Sequence, residues 1–324
     1  MPASYSEPRR DYDVVVVGDL NIDLILSGLP RLPQFGEEIL ARDVVRRIGG
    51  SAANFAVCCA RLGLRVAFVA NVGCDDFGDF LVRQLQQWGV DDAHVGRDPE
   101  LATGLTVSLS GDVDRAFVTY VGTIDSLTAE DVPRELLSRC RHLHIASYFL
   151  QTRLQPGCQE LAEAAHEAGA SVSLDTGYDP SEEWDGDLLD LLPVVDVFMP
   201  NEVEAQQITA TETVDAAFAA LCGMTPLVVV KTGPDGALAS GDGETVQVPA
   251  FPTDVMDTTC CGDAFDAGFI SGLLAGRPLR ESVALGNACG GLMASVKGNE
   301  AQVLDCAAVE ALVAGACATL EGQA

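Results

Sequence analysis

The chain has 324 residues, 48% of them hydrophobic and 21% charged, which predicts one large α/β domain with a small appendage and excludes a disordered chain. Its 19 basic and 48 acidic residues give a formal net charge of −29, which argues against nucleic acid or an anionic membrane surface as a partner. No apolar run reaches membrane-spanning length, so no membrane segment is expected.

Eleven cysteines are present, but their spacing is not that of a zinc or redox motif. Two pairs are adjacent, Cys58-Cys59 and Cys260-Cys261, and most of the others lie in apolar helical stretches, where cysteine acts as a small hydrophobic residue. Reduced thiols in a cytoplasmic protein are therefore expected. Residues 1–10 contain no apolar segment and are expected to form a flexible tail, so that the folded domain spans residues 11–324.

The first ordered element is predicted at residues 13–17, a continuous apolar run typical of a central parallel strand. The chain continues as Gly18-Asp19-Leu20-Asn21-Ile22-Asp23, which lacks the glycine pattern of a nicotinamide-binding Rossmann fold. Asn21 and Asp23 point the same way just past a strand end, where open α/β sheets bind ligands. They could equally be turn residues without a ligand.

Residues 24–48 lack helical periodicity and contain two prolines, so irregular strands outside the main sheet are expected there. The following Gly49-Gly50-Ser51-Ala52-Ala53-Asn54 leads into a helix predicted over 54–62, and its paired glycines allow a ligand to approach the backbone closely. A further strand pair is predicted at 103–110 and 115–121.

The rest of the chain alternates strands and helices, which predicts a three-layer αβα domain around a mainly parallel sheet. Further strands are expected at 64–72, 143–146, 171–174, 195–199 and 227–231, with helices at 77–88 and 161–167.

The most informative stretch begins at Asp257-Thr258-Thr259-Cys260-Cys261-Gly262-Asp263 and continues with apolar residues at helical spacing. A tight turn that opens a helix leaves free N–H groups around Cys261 and Gly262, and these form an anion site with the helix dipole. A carboxylate beside such a site suits phosphoryl transfer to a hydroxyl, and the dipole is expected to keep Asp263 ionised at neutral pH. An ordinary loop with a helix-capping Asp explains the stretch equally well.

This stretch resembles the D-T-x-x-x-G-D signature of the ribokinase (PfkB) family of carbohydrate and nucleoside kinases. The resemblance implies that Asp263 is the catalytic base and that Cys260, Cys261 and Gly262 form the anion hole, with two cysteines where the family usually has Gly-Ala or Ala-Ala. It also implies a ribokinase-like fold in which residues 24–48 and 100–122 form a small β lid. The substrate-binding residues implied by the family's N-x-D and G-G-x-x-x-N motifs are Asn21, Asp23, Gly49, Gly50, Ser51 and Asn54.

The nucleotide site is implied by three further segments. Asn201 and Glu204 resemble the family's N-x-x-E motif, whose acid organises Mg²⁺ through water, although Glu204 would otherwise be a plain surface residue of a helix. The ATP-binding residues implied by the resemblance are Asn201, Lys231, Gly233, Gly236 and Asn287. Without the family, Lys231 would be a solvated lysine at a strand end. Asp257 and Thr259, with carbonyls near residues 295–299, lie where some members bind K⁺.

The resemblance implies an ATP-dependent kinase that uses Mg²⁺ and transfers the γ-phosphoryl group to a primary hydroxyl of a neutral sugar of ribose or fructose type. Two alternatives remain: a nucleoside kinase of adenosine, inosine or cytidine type, and a non-catalytic sugar-binding homologue, against which Gly262 and Asp263 argue. Residues 175–179 resemble the D-x-N-x-R segment of sugar-acid kinases but lack its arginine, which disfavours such a substrate. Apolar segments at 101–109 and 116–121 predict a homodimer through the lid.

Overall fold

The computed structural model describes residues 10–111, 115–296 and 301–321. The described residues form a nine-stranded and a four-stranded sheet. The strands are β1 Tyr12–Val17, β2 Asn21–Leu29, β3 Asp43–Gly49, β4 Val66–Gly73, β5 Asp91–Asp98, β6 Leu105–Gly111, β7 Arg115–Tyr120, β8 Cys140–Ile145, β9 Ser171–Leu174, β10 Val197–Phe198, β11 Leu227–Lys231, β12 Ala237–Gly241 and β13 Glu244–Val248. The α-helices are α1 Ser51–Arg61, α2 Asp76–Trp88, α3 Arg134–Leu137, α4 Cys158–Glu167, α5 Leu188–Leu191, α6 Glu202–Ile208, α7 Val214–Leu221, α8 Cys261–Leu274, α9 Leu279–Ala294 and α10 Cys306–Glu321.

The large sheet has the order β13-β12-β11-β10-β9-β8-β1-β4-β5. Seven neighbouring strands of this sheet pair in parallel, in the order β11-β10-β9-β8-β1-β4-β5. Strand β12 pairs antiparallel with both β11 and β13. Both faces are covered: Val14 and Val16 of β1 belong to one hydrophobic core, while Val15 and Val17 belong to the other. The predicted three-layer αβα architecture with a mainly parallel sheet is thus confirmed.

The small sheet has the order β3-β2-β6-β7 and is built from the two segments that the sequence assigned to a lid. Its strands are more regular than predicted, since β2 and β3 pair without interruption from Asn21–Gly49 to Ser27–Asp43. The prolines of this segment lie in the connection between them. Asn21 and Asp23 therefore belong to a strand, so their interpretation as turn residues is wrong.

Helix α1 begins at Ser51, three residues before its predicted start, directly after Gly50 with φ of +99°. Asn54 is therefore the fourth residue of α1, and its side chain is buried. The predicted tail at residues 1–10 lies, except for Arg10, outside the described residues. Among the helices of the described ranges, none is long and apolar enough to cross a membrane.

Candidate active site

The predicted anion hole lies at the start of α8. Cys260 precedes the helix with φ of +61°, a conformation that favours glycine and costs other residues about 1–2 kcal/mol. The first hydrogen bond of the helix runs from Ala264 N to Cys260 O at 3.0 Å. The N–H groups of Gly262 and Asp263 precede that bond, so the helix ladder does not use them and they remain as donors for an anion.

The carboxylate of Asp263 lies in the first turn of α8, next to the predicted sugar motif of α1. Asn54 Nδ2 donates to Asp263 Oδ2 at 3.1 Å and to Cys260 Sγ at 2.9 Å. These bonds join α1 to residues that lie 209 and 206 positions further along the chain, respectively. Burial raises the pKa of Asp263 to about 8, with a smaller contribution from Asp175, while Lys231 and the Asn54 hydrogen bond oppose the rise. The expectation that the helix dipole keeps Asp263 ionised is therefore wrong, because it omitted desolvation.

The N-x-D and G-G-x-x-x-N motifs lie together at the start of β2, the end of β3 and the start of α1. Asn21 pairs directly with Gly49 across these strands, and Asn21 Nδ2 donates to Asp23 Oδ1 at 3.1 Å. A Cβ atom on Gly49 would lie 2.1 Å from Asp23 Oδ1, and one on Gly50 would lie 2.6 Å from a backbone oxygen. Both positions therefore require glycine, because neighbouring atoms approach the backbone too closely for a side chain. Burial also raises the pKa of Asp23 to about 7.

Two polar residues of this region were not predicted as site residues. Asp19 is buried and accepts a hydrogen bond from Ala52 N at 2.9 Å, which ties the end of β1 to the start of α1. Thr106 of β6 accepts one from Asn21 Nδ2 at 3.4 Å. The signal for Asp19 was its place beside Gly18 after the first strand, whereas nothing in the sequence linked Thr106 to Asn21.

A cavity of about 660 Å³ runs from the start of α8 between the end of β11, the turn at 233–236, the segment 250–258 and α9. It is lined by the predicted residues Lys231, Gly233, Gly236, Cys261, Gly262 and Asn287. Apolar side chains that the sequence did not single out, Phe251, Val255 and Phe265, line it as well. The amide of Asn287 donates to Val248 O at 3.0 Å and Pro249 O at 3.2 Å, so it fixes the chain after β13 at the cavity wall.

Asn201 and Glu204 form a reciprocal cap at the start of α6. Asn201 Oδ1 accepts from Glu204 N at 2.9 Å, and the Glu204 carboxylate accepts from Asn201 N at 2.8 Å and Nδ2 at 2.6 Å. Glu204 is buried, so its interpretation as a plain surface residue is wrong, and burial raises its pKa to about 7. In the described part of the chain no cluster of three or more potential metal ligands occurs. The water-mediated contact of Glu204 to phosphate-bound Mg²⁺ stays a prediction.

Lys231 is buried at the end of β11 and is not the solvated lysine of the alternative interpretation. Its Nζ donates to Asp175 Oδ2 at 2.7 Å and to Asp266 Oδ2 at 2.9 Å, and its side chain is 12% exposed. A Cβ atom on Gly262 would lie 3.6 Å from Nζ, which places the ammonium group beside the anion hole. The sequence did not predict that Asp175 and Asp266 contact Lys231.

Asp257 and Thr259 lie together in the turn before α8. Asp257 Oδ1 accepts hydrogen bonds from Thr259 N at 2.9 Å and Thr259 Oγ1 at 2.6 Å. Backbone bonds from residues 256 and 257 to Ala294 O bring this turn to the end of α9. Of the carbonyls predicted near residues 295–299, those of 297–299 lie outside the described residues, so the K⁺ site stays a prediction.

Comparison with known proteins identifies the family to which the chain belongs. The chain belongs to the PfkB family of carbohydrate kinases, whose sequence profile matches residues 11–305. It is 27% identical over 297 residues to a ribokinase of Haemophilus influenzae, covering 90% of this chain and 94% of that protein. It is 30% identical over 326 residues to fructokinase-1 of Zea mays, covering 90% and 96%.

The solved structures agree with the sequence relatives. Arabidopsis thaliana ribokinase complexed with ribose and ATP superposes with a TM-score of 0.79 at 27% identity, over 93% of this chain and 98% of that one. The fold is therefore ribokinase-like, as predicted, and the protein is an ATP-dependent sugar kinase.

Proposed function

We propose that this kinase transfers the γ-phosphoryl group of ATP to a primary hydroxyl of a neutral sugar of ribose or fructose type. The hydrogen bond from Asn54 Nδ2 to Asp263 Oδ2 carries the proposal, because it joins the sugar motif to the general base. The cavity that reaches Gly262 from the other side supports a nucleotide whose γ-phosphate meets the same point.

In the proposed reaction Asp263 accepts the proton of the sugar hydroxyl as the hydroxyl oxygen attacks the γ-phosphorus, and the bond from that phosphorus to the β-phosphate oxygen breaks to release ADP. The N–H groups at the start of α8 and its dipole stabilise the charge on the phosphoryl group, and Lys231 adds positive potential beside them. Mg²⁺ neutralises the phosphate charge of ATP, and Glu204 would hold it through water. Phe251, Val255 and Phe265 supply apolar contact for the adenine.

A neutral acceptor is favoured by the charges around the sugar motif. Asp19, Asp23 and Asp263 surround it, and Asp263 has to be ionised to act as the base, so a sugar acid or sugar phosphate would bring a like charge next to it. Asp179 occupies the position at which sugar-acid kinases carry arginine. Its carboxylate accepts hydrogen bonds within its own loop, from Ser181 N at 2.8 Å and Trp184 N at 2.6 Å. It offers nothing to a substrate carboxylate.

A nucleoside kinase of adenosine, inosine or cytidine type remains the second candidate, because the G-G-S sequence at Gly49–Ser51 occurs in nucleoside-using relatives too. A non-catalytic homologue is disfavoured, since Gly262 and Asp263 are both present and correctly placed at the helix start. A cytoplasmic location is supported by ten cysteines of the described residues that form no disulfide. K⁺ at Asp257 and Thr259 is part of the proposal and predicts faster turnover in K⁺ than in Na⁺.

A thermal-shift panel tests the choice of acceptor. With a non-hydrolysable ATP analogue present, ribose or fructose should raise Tm in proportion to binding, whereas sugar acids and sugar phosphates should not. Nucleosides are the matched comparison, because they present the same ribose hydroxyl with a base attached. Stabilisation by nucleosides alone would transfer the proposal to the second candidate.

The lid should also form a homodimer contact. Leu24, Val107 and Val118 are register neighbours on one face of the small sheet, and Tyr120 follows on the same face. Val118 is 61% and Tyr120 53% exposed, so this apolar face lacks a cover within the described chain. A second copy of the chain would cover this face.

Light scattering at micromolar concentration should give twice the chain mass for wild type. Val118→Lys places a charge on the apolar face and should give the monomer mass. A monomeric wild type would refute the contact.

A further inference from the structure

One buried cation and two carboxyl groups form a cluster beside the anion hole. Lys231 comes from β11, Asp175 follows β9, and Asp266 lies one helical turn after Asp263 on α8. The side chains of Asp175 and Asp266 are 9% and 2% exposed, so water contributes little to their charge balance. If both acids were ionised, the cluster would carry a net charge of −1 where the phosphoryl group has to arrive.

The hydrogen bonds of Asp266 are incomplete for an ionised group. Its Oδ2 accepts from Lys231, but Oδ1 is buried and receives no N–H or O–H from the described residues. An ionised carboxylate can only accept, so burying one with an unfilled oxygen is costly. Both carboxyl groups bind the same Lys231 Nζ, at 2.7 Å and 2.9 Å, so they lie close enough for a proton on one to be donated to the other.

Among the described residues that act on this cluster, Lys231 is the single cation. The thiol of Cys59 on α1 interacts with Asp266, and Glu204 and Asp263 act on Lys231 and Asp175 from α6 and α8. His144 of β8 faces Asp175, but burial lowers its pKa to about 3 and keeps it neutral. Burial raises the pKa of Asp266 well above its usual value, while Lys231 holds that of Asp175 down against its own burial.

We propose that Asp266 is a positioning residue held as the neutral carboxylic acid, which donates its proton to Asp175 and leaves Lys231 with one counter-charge. The cluster is then neutral overall, and the ammonium group beside Gly262 adds its potential to the anion hole without an opposing excess of negative charge. That consequence rests on the proposed phosphoryl transfer. The protonation itself rests on the geometry of the cluster and can be tested without turnover.

Infrared spectroscopy of the whole protein at pH 9 tests the protonation. Asp23, Asp263 and Glu204, with pKa values of about 7, 8 and 7, are largely ionised at that pH. Wild type should show a carboxylic C=O band that is absent from Asp266→Asn. In Asp175→Asn the band should also vanish although Asp266 is present, because Asp266 then becomes the counter-ion of Lys231. Identical spectra of wild type and Asp266→Asn, or a band retained in Asp175→Asn, would overturn the proposal.

A kinetic readout connects the proton to nucleotide binding. An asparagine at 266 is neutral like the acid and can donate to Asp175, so the KM for ATP should stay within about threefold of wild type. If Asp266 were ionised, Asp266→Asn would remove a negative charge beside Lys231 and tighten ATP binding by roughly tenfold or more, which would contradict the proposal. A chain without kinase activity would remove this readout but leave the infrared result intact.

Discussion

Replacing Asp263 by asparagine should lower kcat by a factor of about 10²–10⁴ and leave sugar binding nearly unchanged. The amide keeps the size of the side chain and its contact to Asn54, but it cannot accept the proton of the sugar hydroxyl. Turnover and calorimetric sugar affinity should be measured on the same preparation. In wild type, kcat/KM for the sugar should rise with pH through about 8, because only ionised Asp263 acts as the base.

The same substitution should stabilise the free enzyme. Burial raises the pKa of Asp263 from 3.8 to about 8, so the folded state holds its proton more tightly than the unfolded state does. That favourable contribution is complete below pH 3.8 and is lost as pH rises towards 8, where ionising the buried group costs stability. Tm of Asp263→Asn should therefore exceed that of wild type at pH 8 and approach it at acid pH.

Asp215→Asn is the matched control, because Asp215 is an exposed carboxylate in the first turn of α7. This variant should leave kcat unchanged. Its effect on stability should stay, at every pH, within the few tenths of a kcal/mol of a helix-dipole contact. Near-wild-type kcat in Asp263→Asn would refute the base assignment.

Lys231→Met should give the largest loss of stability, about 3–5 kcal/mol at neutral pH, because it leaves buried Asp175 without its counter-ion. Lys231 holds the pKa of Asp175 below its usual value, and this contribution to stability is present above the unfolded pKa and lost on acidification. The difference in Tm between wild type and variant should accordingly shrink as pH falls towards 4.

Arg83→Met serves as the control for Lys231→Met, since Arg83 is an exposed cation on α2. Its effect should stay within about 0.5 kcal/mol at every pH. A Lys231→Met protein as stable as wild type at pH 8 would show that buried Asp175 does not depend on Lys231 as its counter-ion.

The sequence predicted the alternation of strands and helices well, because apolar strands such as residues 13–17 are covered on both faces. Two parts of the large sheet were missed. The edge strand β5, Asp91–Asp98, is rich in charged residues, as exposed edges often are, and therefore shows no strand pattern. The β12–β13 hairpin carried a usable signal, Asp242-Gly243 between two alternating segments, that was not applied.

The motifs name residues that the structure brings together, whereas the protonation and ion pairing of those residues depend on packing that no motif encodes. Gly49, Gly50, Asn54 and Asp263 lie together as their motifs implied. The raised pKa of Asp263 depends on how many groups from distant segments exclude water from it, which no local pattern encodes. For the same reason the contact of Lys231 with two carboxyl groups was not foreseen, although Asp266 stands three residues after Asp263.

The most direct test of the central claim is the identity of the product. Wild-type protein, ATP, Mg²⁺ and a neutral sugar of ribose or fructose type should yield ADP and a sugar monophosphate, and phosphorus NMR should show the phosphorus coupled to the protons of the primary carbon. Asp263→Asn should yield none above the rate set by its lowered kcat. ADP without a sugar ester, an ester at a secondary hydroxyl, or phosphorylation of nucleosides alone would contradict the account.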